Sequence, residues 1–197
     1  YNTDDGVLSS TERYSIANNT WEELPDMPKE PRFGHCAVST RGSEIYIVGG
    51  NGTRTVDVFD TSSLSWTNST YLCDMPEERC FAAAVMAKEK YLVVIGGGDK
   101  DGNATAGCLI YDIWCNRWSS APASIDMIEA RGYHTAAVLD GKIVVAGGLG
   151  PDCNALASVE CIDADALLDY APLHYPLPTL LFDRILEIGK FESERVD

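Results

Sequence analysis

The 197-residue chain is poor in positive charge: 15 Lys and Arg stand against 30 Asp and Glu, a net charge of −15. Phosphate binding rests on Lys and Arg, so neither nucleic acid nor an anionic membrane surface is an expected partner. No apolar run approaches the roughly 20 residues that cross a bilayer. The longest, around 91–95 and 143–146, have the length of strands. The seven cysteines (Cys36, Cys73, Cys80, Cys108, Cys115, Cys153, Cys161) include no C-x-x-C pair, so a zinc site has no support. No Ser/His/Asp set, phosphate-cradling G-x-G-x-x-G loop or carboxylate pair stands out, and no cofactor is expected.

The cysteines that are present carry a mixed signal. An odd number leaves at least one outside any intrachain disulfide. Most fall in or beside strand-like stretches, where a free thiol behaves as a small buried apolar group. That usage tips the expected setting toward the cytoplasm. Four N-x-S/T sequons, at Asn18, Asn51, Asn68 and Asn103, point instead to a secreted, glycosylated chain. Turns are rich in Asn, Ser and Thr in any case, so compartment stays open. The chain starts at Tyr1 rather than Met, which reads as a processed chain or a length cut from a longer one.

An apolar fraction of 45 % is that of a globular core, and glycine supplies the pattern within it. IYIVGG (45–50), LVVIGG (92–97) and IVVAGG (143–148) each run an apolar strand into two glycines: Gly49–Gly50, Gly96–Gly97 and Gly147–Gly148. Gly costs backbone entropy and packs no side chain, so a recurring diglycine marks a recurring architectural need. A weaker echo, ILEIGK, ends at Lys190. After each diglycine comes a variable loop, then a strand ending in an aromatic and an acid: VDVFD to Asp60 and CLIYD to Asp112. TERYS (11–15) and VECID (159–163) fit the same slot. Seven residues past the aromatic stands a Trp: Tyr14 and Trp21, Phe59 and Trp66, Tyr111 and Trp118. Then MPKEPRFGH, MPEERCFAA and MIEARGYHT place Arg32, Arg79 and Arg131 ahead of an Ala- and Val-rich strand.

Each unit reads as four short strands. Strand a follows the Arg (33–39, 80–87, 132–139), b ends in the glycines, c ends in the aromatic, and d holds the Trp. This combination, at a period near 50 residues, resembles the kelch family, and the resemblance runs from residue 10 to about 188. The fold it implies is all-β: a kelch-type β-propeller with about four blades' worth of four-stranded antiparallel sheets. Residues 1–197 form one propeller region, with a partial blade at 10–24 (strands c and d) and blades at 32–68, 79–119 and 131–170. A degenerate partial blade (strands a and b) at 176–190 and a polar tail at 191–197 follow. The last full blade departs from the pattern, with Asp169 where Trp is expected. The complementary ends would close a four-bladed ring, whereas usual blade numbers fit a slice of a larger propeller.

In such blades the b–c loops and d–a connections return to one face. Residues 51–55, 99–105 and 149–156 gather there with Lys29, Glu77, Glu78 and Glu129. Unequal loops on a rigid scaffold are where recognition usually sits. The candidate partner-binding residues are Arg32, Arg79, Arg131, Arg54, Asp99, Lys100, Asp101, Asp152 and Asn154. The three repeat arginines could ring the axis and grip carboxylates of an acidic peptide. The competing reading makes each one framework, paired with a nearby Glu or loop carbonyl. His35 and His134 share a repeat position, occupied by Ala82 in the middle blade, and read as framework rather than metal ligands. The resemblance implies a non-catalytic module for a protein or peptide partner. Intracellular kelch proteins often carry a BTB or F-box segment and present substrates to a ubiquitin ligase, but 1–197 shows neither segment. Some kelch-like propellers are copper or sugar-modifying enzymes, and the two His, two Tyr and cross-linked Cys of the copper kind cannot be assembled here.

Overall fold

The computed structural model describes residues 6–67 and 69–172. The strand pair expected at 176–190, the polar tail, His174 and the sequon at Asn68 lie outside the described residues. Four antiparallel sheets follow one another along the chain. The first is a hairpin of β1 (Thr11–Ser15) and β2 (Thr20–Leu24), with Tyr14 opposite Trp21. The second orders β3 (Cys36–Ser39), β4 (Glu44–Val48), β5 (Val56–Asp60) and β6 (Ser65–Trp66) side by side. The third does the same with β7 (Ala83–Ala87), β8 (Tyr91–Ile95), β9 (Cys108–Asp112) and β10 (Arg117–Ser120). The fourth has β11 (Thr135–Leu139), β12 (Lys142–Ala146) and β13 (Val159–Asp163). The inner strands β3, β7 and β11 are neighbours in space, so the sheets stack as blades about a common axis.

Two features differ from the expectation. The inner strands begin at Cys36, Ala83 and Thr135, later than the residue after each Arg. The cause is shared: Gly34, Phe81 and Tyr133 occupy one repeat position and have φ of +67°, +53° and +56°, which no strand accommodates. Their backbones join blade to blade instead. Phe81 N–H donates to the Gly34 carbonyl at 2.6 Å, and Tyr133 N–H donates to the Phe81 carbonyl at 2.8 Å. The second difference is in the last blade, where α1 (Ala164–Leu168) replaces strand d. In the second and third blades the acid ending strand c closes the c–d turn: Asp60 Oδ1 accepts from Ser62 N–H, and Asp112 Oδ1 from Trp114 and Cys115 N–H. Asp163 does the same for Asp165 and Ala166, but Ala-Asp-Ala-Leu-Leu is a good helix former, so the cap starts a helical turn.

The core lies between blades. Tyr46, Val48, Val56 and Val58 of the second blade pack on Leu92, Val94, Leu109 and Tyr111 of the third. The opposite face of the third blade (Val85, Val93, Ile95, Ile110) packs on Ile143, Val145 and Ile162 of the fourth. Strands β8 and β9 are therefore buried on both faces, which explains their continuous apolar runs. Each such side chain contributes roughly 1.5–3 kcal/mol when fully buried. The Trp side chains of the outer strands also tie successive units: Trp66 Nε1 donates to the Pro25 carbonyl and Trp118 Nε1 to the Cys73 carbonyl.

The diglycine is the seam. Gly50 N–H donates to the carbonyl of Arg79 in the next blade, and Gly97 N–H to that of Arg131. The preceding glycine has positive φ, +64° at Gly49 and +55° at Gly96. A Cβ on Gly49 would lie 2.5 Å from the Arg79 carbonyl oxygen and 2.8 Å from Met75 Cε. On Gly96 it would lie 2.7 Å from both the Arg131 carbonyl oxygen and Met127 Cε. The first glycine thus makes room for the next blade. The second makes room for its own inner strand, since a Cβ on Gly97 would meet Ala82 Cβ and the Cys80 carbonyl at 2.7 Å.

A pair of alanine substitutions separates these costs. Gly52 also has positive φ, +74°, with nothing within 4 Å of its would-be Cβ, so G52A costs only the dihedral, about 1–3 kcal/mol. G49A adds the clash with the next blade, roughly 1–3 kcal/mol more. Urea unfolding of both variants measures the gap, and equal losses would remove the seam argument.

Candidate functional site

The b–c loops and d–a connections converge at one end of the blades, but the repeat arginines do not open onto that face. Arg32, Arg79 and Arg131 are 4 %, 5 % and 0 % exposed. Arg32 pairs with the fully buried carboxylate of Asp57 on β5, and its Nη1 reaches the Gly49 and Thr55 carbonyls at 3.5 Å. Lys29 Nζ lies 3.6 Å from the same carboxylate. Arg131 Nη2 pairs with Glu160 on β13 at 2.5 Å and donates to Ser158 Oγ at 2.9 Å, while Nη1 donates to the Gly147 carbonyl at 2.9 Å. The arginine therefore crosslinks the d–a connection to strands b and c of its own blade. The bidentate grip on an incoming carboxylate, which the sequence left open, would need side chains that are already engaged.

The middle blade differs. Asp57 and Glu160 stand second in their c strands, where β9 has Leu109. Arg79 instead pairs with Glu77 on its own connection at 2.6 Å; its buried Nε, like that of Arg32, has no hydrogen-bond partner. Asp126, whose Oδ1 is buried and unpaired, comes close to it over Gly107. Burial pushes the Asp126 carboxyl above its usual range, and Arg79 opposes the shift.

The exposed charge of the face is acidic. Asp99 Oδ1 accepts from the Asp101 and Asn103 N–H groups at 2.9 Å. Those bonds, Asn103 first, outweigh desolvation and hold its pKa below the usual carboxylate range. Lys100 is paired with Asp101 at 2.9 Å, and Arg54 Nη1 donates to the Pro76 carbonyl at 3.3 Å. Asp152 and Asn154 lie exposed in the last loop, where the Asn154 carbonyl accepts from Gly150 N–H at 3.0 Å. Asn18, Asn51 and Asn103 are exposed, and Asn103 Nδ2 donates to Asp99 Oδ2 at 3.3 Å.

At the axis, Phe81 and Tyr133 stack with centroids 3.9 Å apart, and Phe33 approaches Phe81 at 5.9 Å. This aromatic row follows from the left-handed residues that link the blades. Both ring nitrogens of His134 are buried without a partner in hydrogen-bond geometry. Burial, and then the Arg131 guanidinium, lower its pKa below 6.5, with a weak opposing contribution from the Ile95 backbone. Among the described residues no group of three or more His, Cys, Asp and Glu could hold a metal ion. All seven cysteines are free, and burial pushes the Cys36 and Cys108 thiols up to about 12, leaving them apolar packing groups.

Sequence reasoning missed three pairs of participants. The acids Asp57 and Glu160 were present inside VDVFD and VECID, but one acid in a strand carries no signal until its Arg is placed beside it. Met75 and Met127, against the diglycines, follow an Asp in each unit (Asp26-Met27, Asp74-Met75, Asp126-Met127), a spacing that could have marked them. Nothing in Phe81 or Tyr133 announces a left-handed backbone.

Two consequences are measurable. R131M leaves Glu160, only 9 % exposed, with the Ile128 and Glu129 N–H groups but without its cation, and should cost about 3–5 kcal/mol in urea unfolding. R79M, whose partner Glu77 is half exposed, should cost nearer 1 kcal/mol; equal losses would contradict the assignment. For His134 the folded pKa is depressed, so its stabilising contribution is complete above pH 6.5 and declines as pH falls below it. Titration by NMR should place its midpoint below 6.5, and H134Q should flatten the loss of stability on acidification.

Comparison with known proteins gives a consistent answer. Residues 34–168 match the model of the KLHDC2/KLHL20/DRC7 Kelch-repeats domain. Kelch-like protein 38 of Rattus norvegicus is 32 % identical over 186 residues, covering 90 % of this chain and 29 % of its own length. The Rab9 effector protein with kelch motifs of Xenopus laevis is 26 % identical over 152 residues, 73 % of this chain and 42 % of its own length. An F-box/kelch-repeat protein of Arabidopsis thaliana is 40 % identical over 81 residues, 41 % of this chain and 20 % of its own length. The chain spans under a third of the length of the Kelch-like proteins it matches.

Proposed function

The chain belongs to the kelch-repeat family, and from that premise we propose that it is a non-catalytic interaction module whose loop face binds a protein or peptide partner. One observation carries this reading. Loops of unequal length from three blades meet at one end of the axis, around stacked aromatics, on a scaffold whose repeat arginines are engaged internally. The opposite end has tight c–d turns closed by their own aspartates. A rigid frame with variable loops on one side suits recognition.

Within a longer polypeptide, the module would present its partner as a ubiquitin-ligase adaptor does. Support for this finer role comes from the F-box in the names of the Arabidopsis relatives and from the small share of the Kelch-like proteins that this chain spans. The face is tested by placing a photo-crosslinking residue at Asp152 or Asp101 and, on the opposite end, at Ser62. Partner crosslinks should form from the first two positions. Crosslinks from Ser62 alone would refute the loop face, and none from any position would refute the interaction role.

A further inference from the structure

We propose that the axial pocket of the loop face receives one large apolar side chain of a peptide whose flanking residues are Lys or Arg. This rests on the loop face being the recognition surface. The pocket has a volume of about 240 Å³. Pockets for drug-sized ligands span roughly 300–1,000 Å³, so this one suits a single side chain rather than a cofactor. Phe81, Tyr133, Leu149 and Pro151 supply apolar walls, and Cys80 and Cys153 complete them. Its floor includes Gly98, Gly132 and Gly150, where the backbone can approach a ligand closely.

The polarity of the flanking residues follows from the rim. A smaller adjoining groove shares Asn51, Cys80, Gly98 and Gly102 with the pocket and adds Glu78, Asp99 and Lys100. Asp152 lies on the other side, between Pro151 and Cys153 of the wall. Of the cations nearby, Lys100 is paired with Asp101, the exposed Arg54 donates to the Pro76 carbonyl, and Arg79 is buried against Glu77, so the acids outnumber the free cations. Glu78 and Asp152 have no ion pair among the described residues. An apolar hole with an acid on either side is complementary to an apolar anchor between cations. The burial of all three repeat arginines thus reverses the polarity of the partner from acidic to basic.

A random peptide library displayed on phage and selected on the whole chain tests this. Selected peptides should carry Trp, Phe, Leu or Met beside Lys or Arg. They should bind the E78K/D152K variant about tenfold more weakly, since both changes reverse rim charges that steer a cationic partner. The milder E78Q/D152N variant should fall between the two, and matching thermal unfolding would show that each variant is folded. Bound peptide should also slow alkylation of Cys153, in the pocket wall, without protecting the exposed Cys161 on β13. Selection of acidic or uncharged peptides, unchanged binding to E78K/D152K, or no protection of Cys153 would overturn the inference while leaving the loop face as a recognition surface. Failure to select any peptide would overturn both.

Discussion

The architecture depends on a single handover between neighbours. Two of the arginines that open a blade, Arg79 and Arg131, accept through their backbone carbonyls from the N–H of the second glycine of the blade before, Gly50 and Gly97. That approach is possible only where the first glycine has no side chain. The arginine itself is fixed from its other end, by an acid of strand c in two of three blades. Arg131 thus couples two levels of structure, with its backbone joining blades and its side chain bracing strands within a blade. Buried ion pairs of this kind are weak contributors to net stability and costly to break, so they specify an arrangement more than they strengthen it.

The same arrangement decides what the recognition face can offer. Cations held at 0–5 % exposure are unavailable to a ligand, and the loops outside them are left with a surplus of carboxylates. The net charge of −15 is therefore not spread evenly in its consequences. At the loop face it sets a sign of potential, and that sign steers which partners meet the apolar pocket. The middle blade, with Leu109 in place of the acid, keeps its arginine on a surface carboxylate and has the least internally braced of the three connections.

Much of this was legible in the sequence because repetition amplifies weak signals. A single diglycine means little, but three in step with Tyr14–Trp21, Phe59–Trp66 and Tyr111–Trp118 locate strands b, c and d, and each aromatic pair does face across a c–d hairpin. What stayed hidden is non-local. The left-handed backbone at Phe81 and Tyr133 is imposed by blade-to-blade hydrogen bonds, against the preference of bulky residues. The choice between arginine as ligand and arginine as brace turned on which acid lies beside it across 25 or more residues of chain. Asp163 was visible as the acid ending a c strand, but whether such a cap starts a turn or a helix depends on the residues that follow it.

The burial of the third blade on both faces has a kinetic meaning. Val93, Val94, Leu109 and Ile110 are at most 1 % exposed, while the first hairpin has Trp21 at 67 % and the fourth blade Val159 at 62 %. Among the described residues the inner-strand contacts run between neighbouring blades, β3 with β7 and β7 with β11, so each interface carries its own share of the stability. Backbone amides of β8 and β9 can exchange with solvent only after an adjacent blade has detached. The third blade therefore opens only after a neighbour has left it, and Phe81 on the loop face keeps its frame until then.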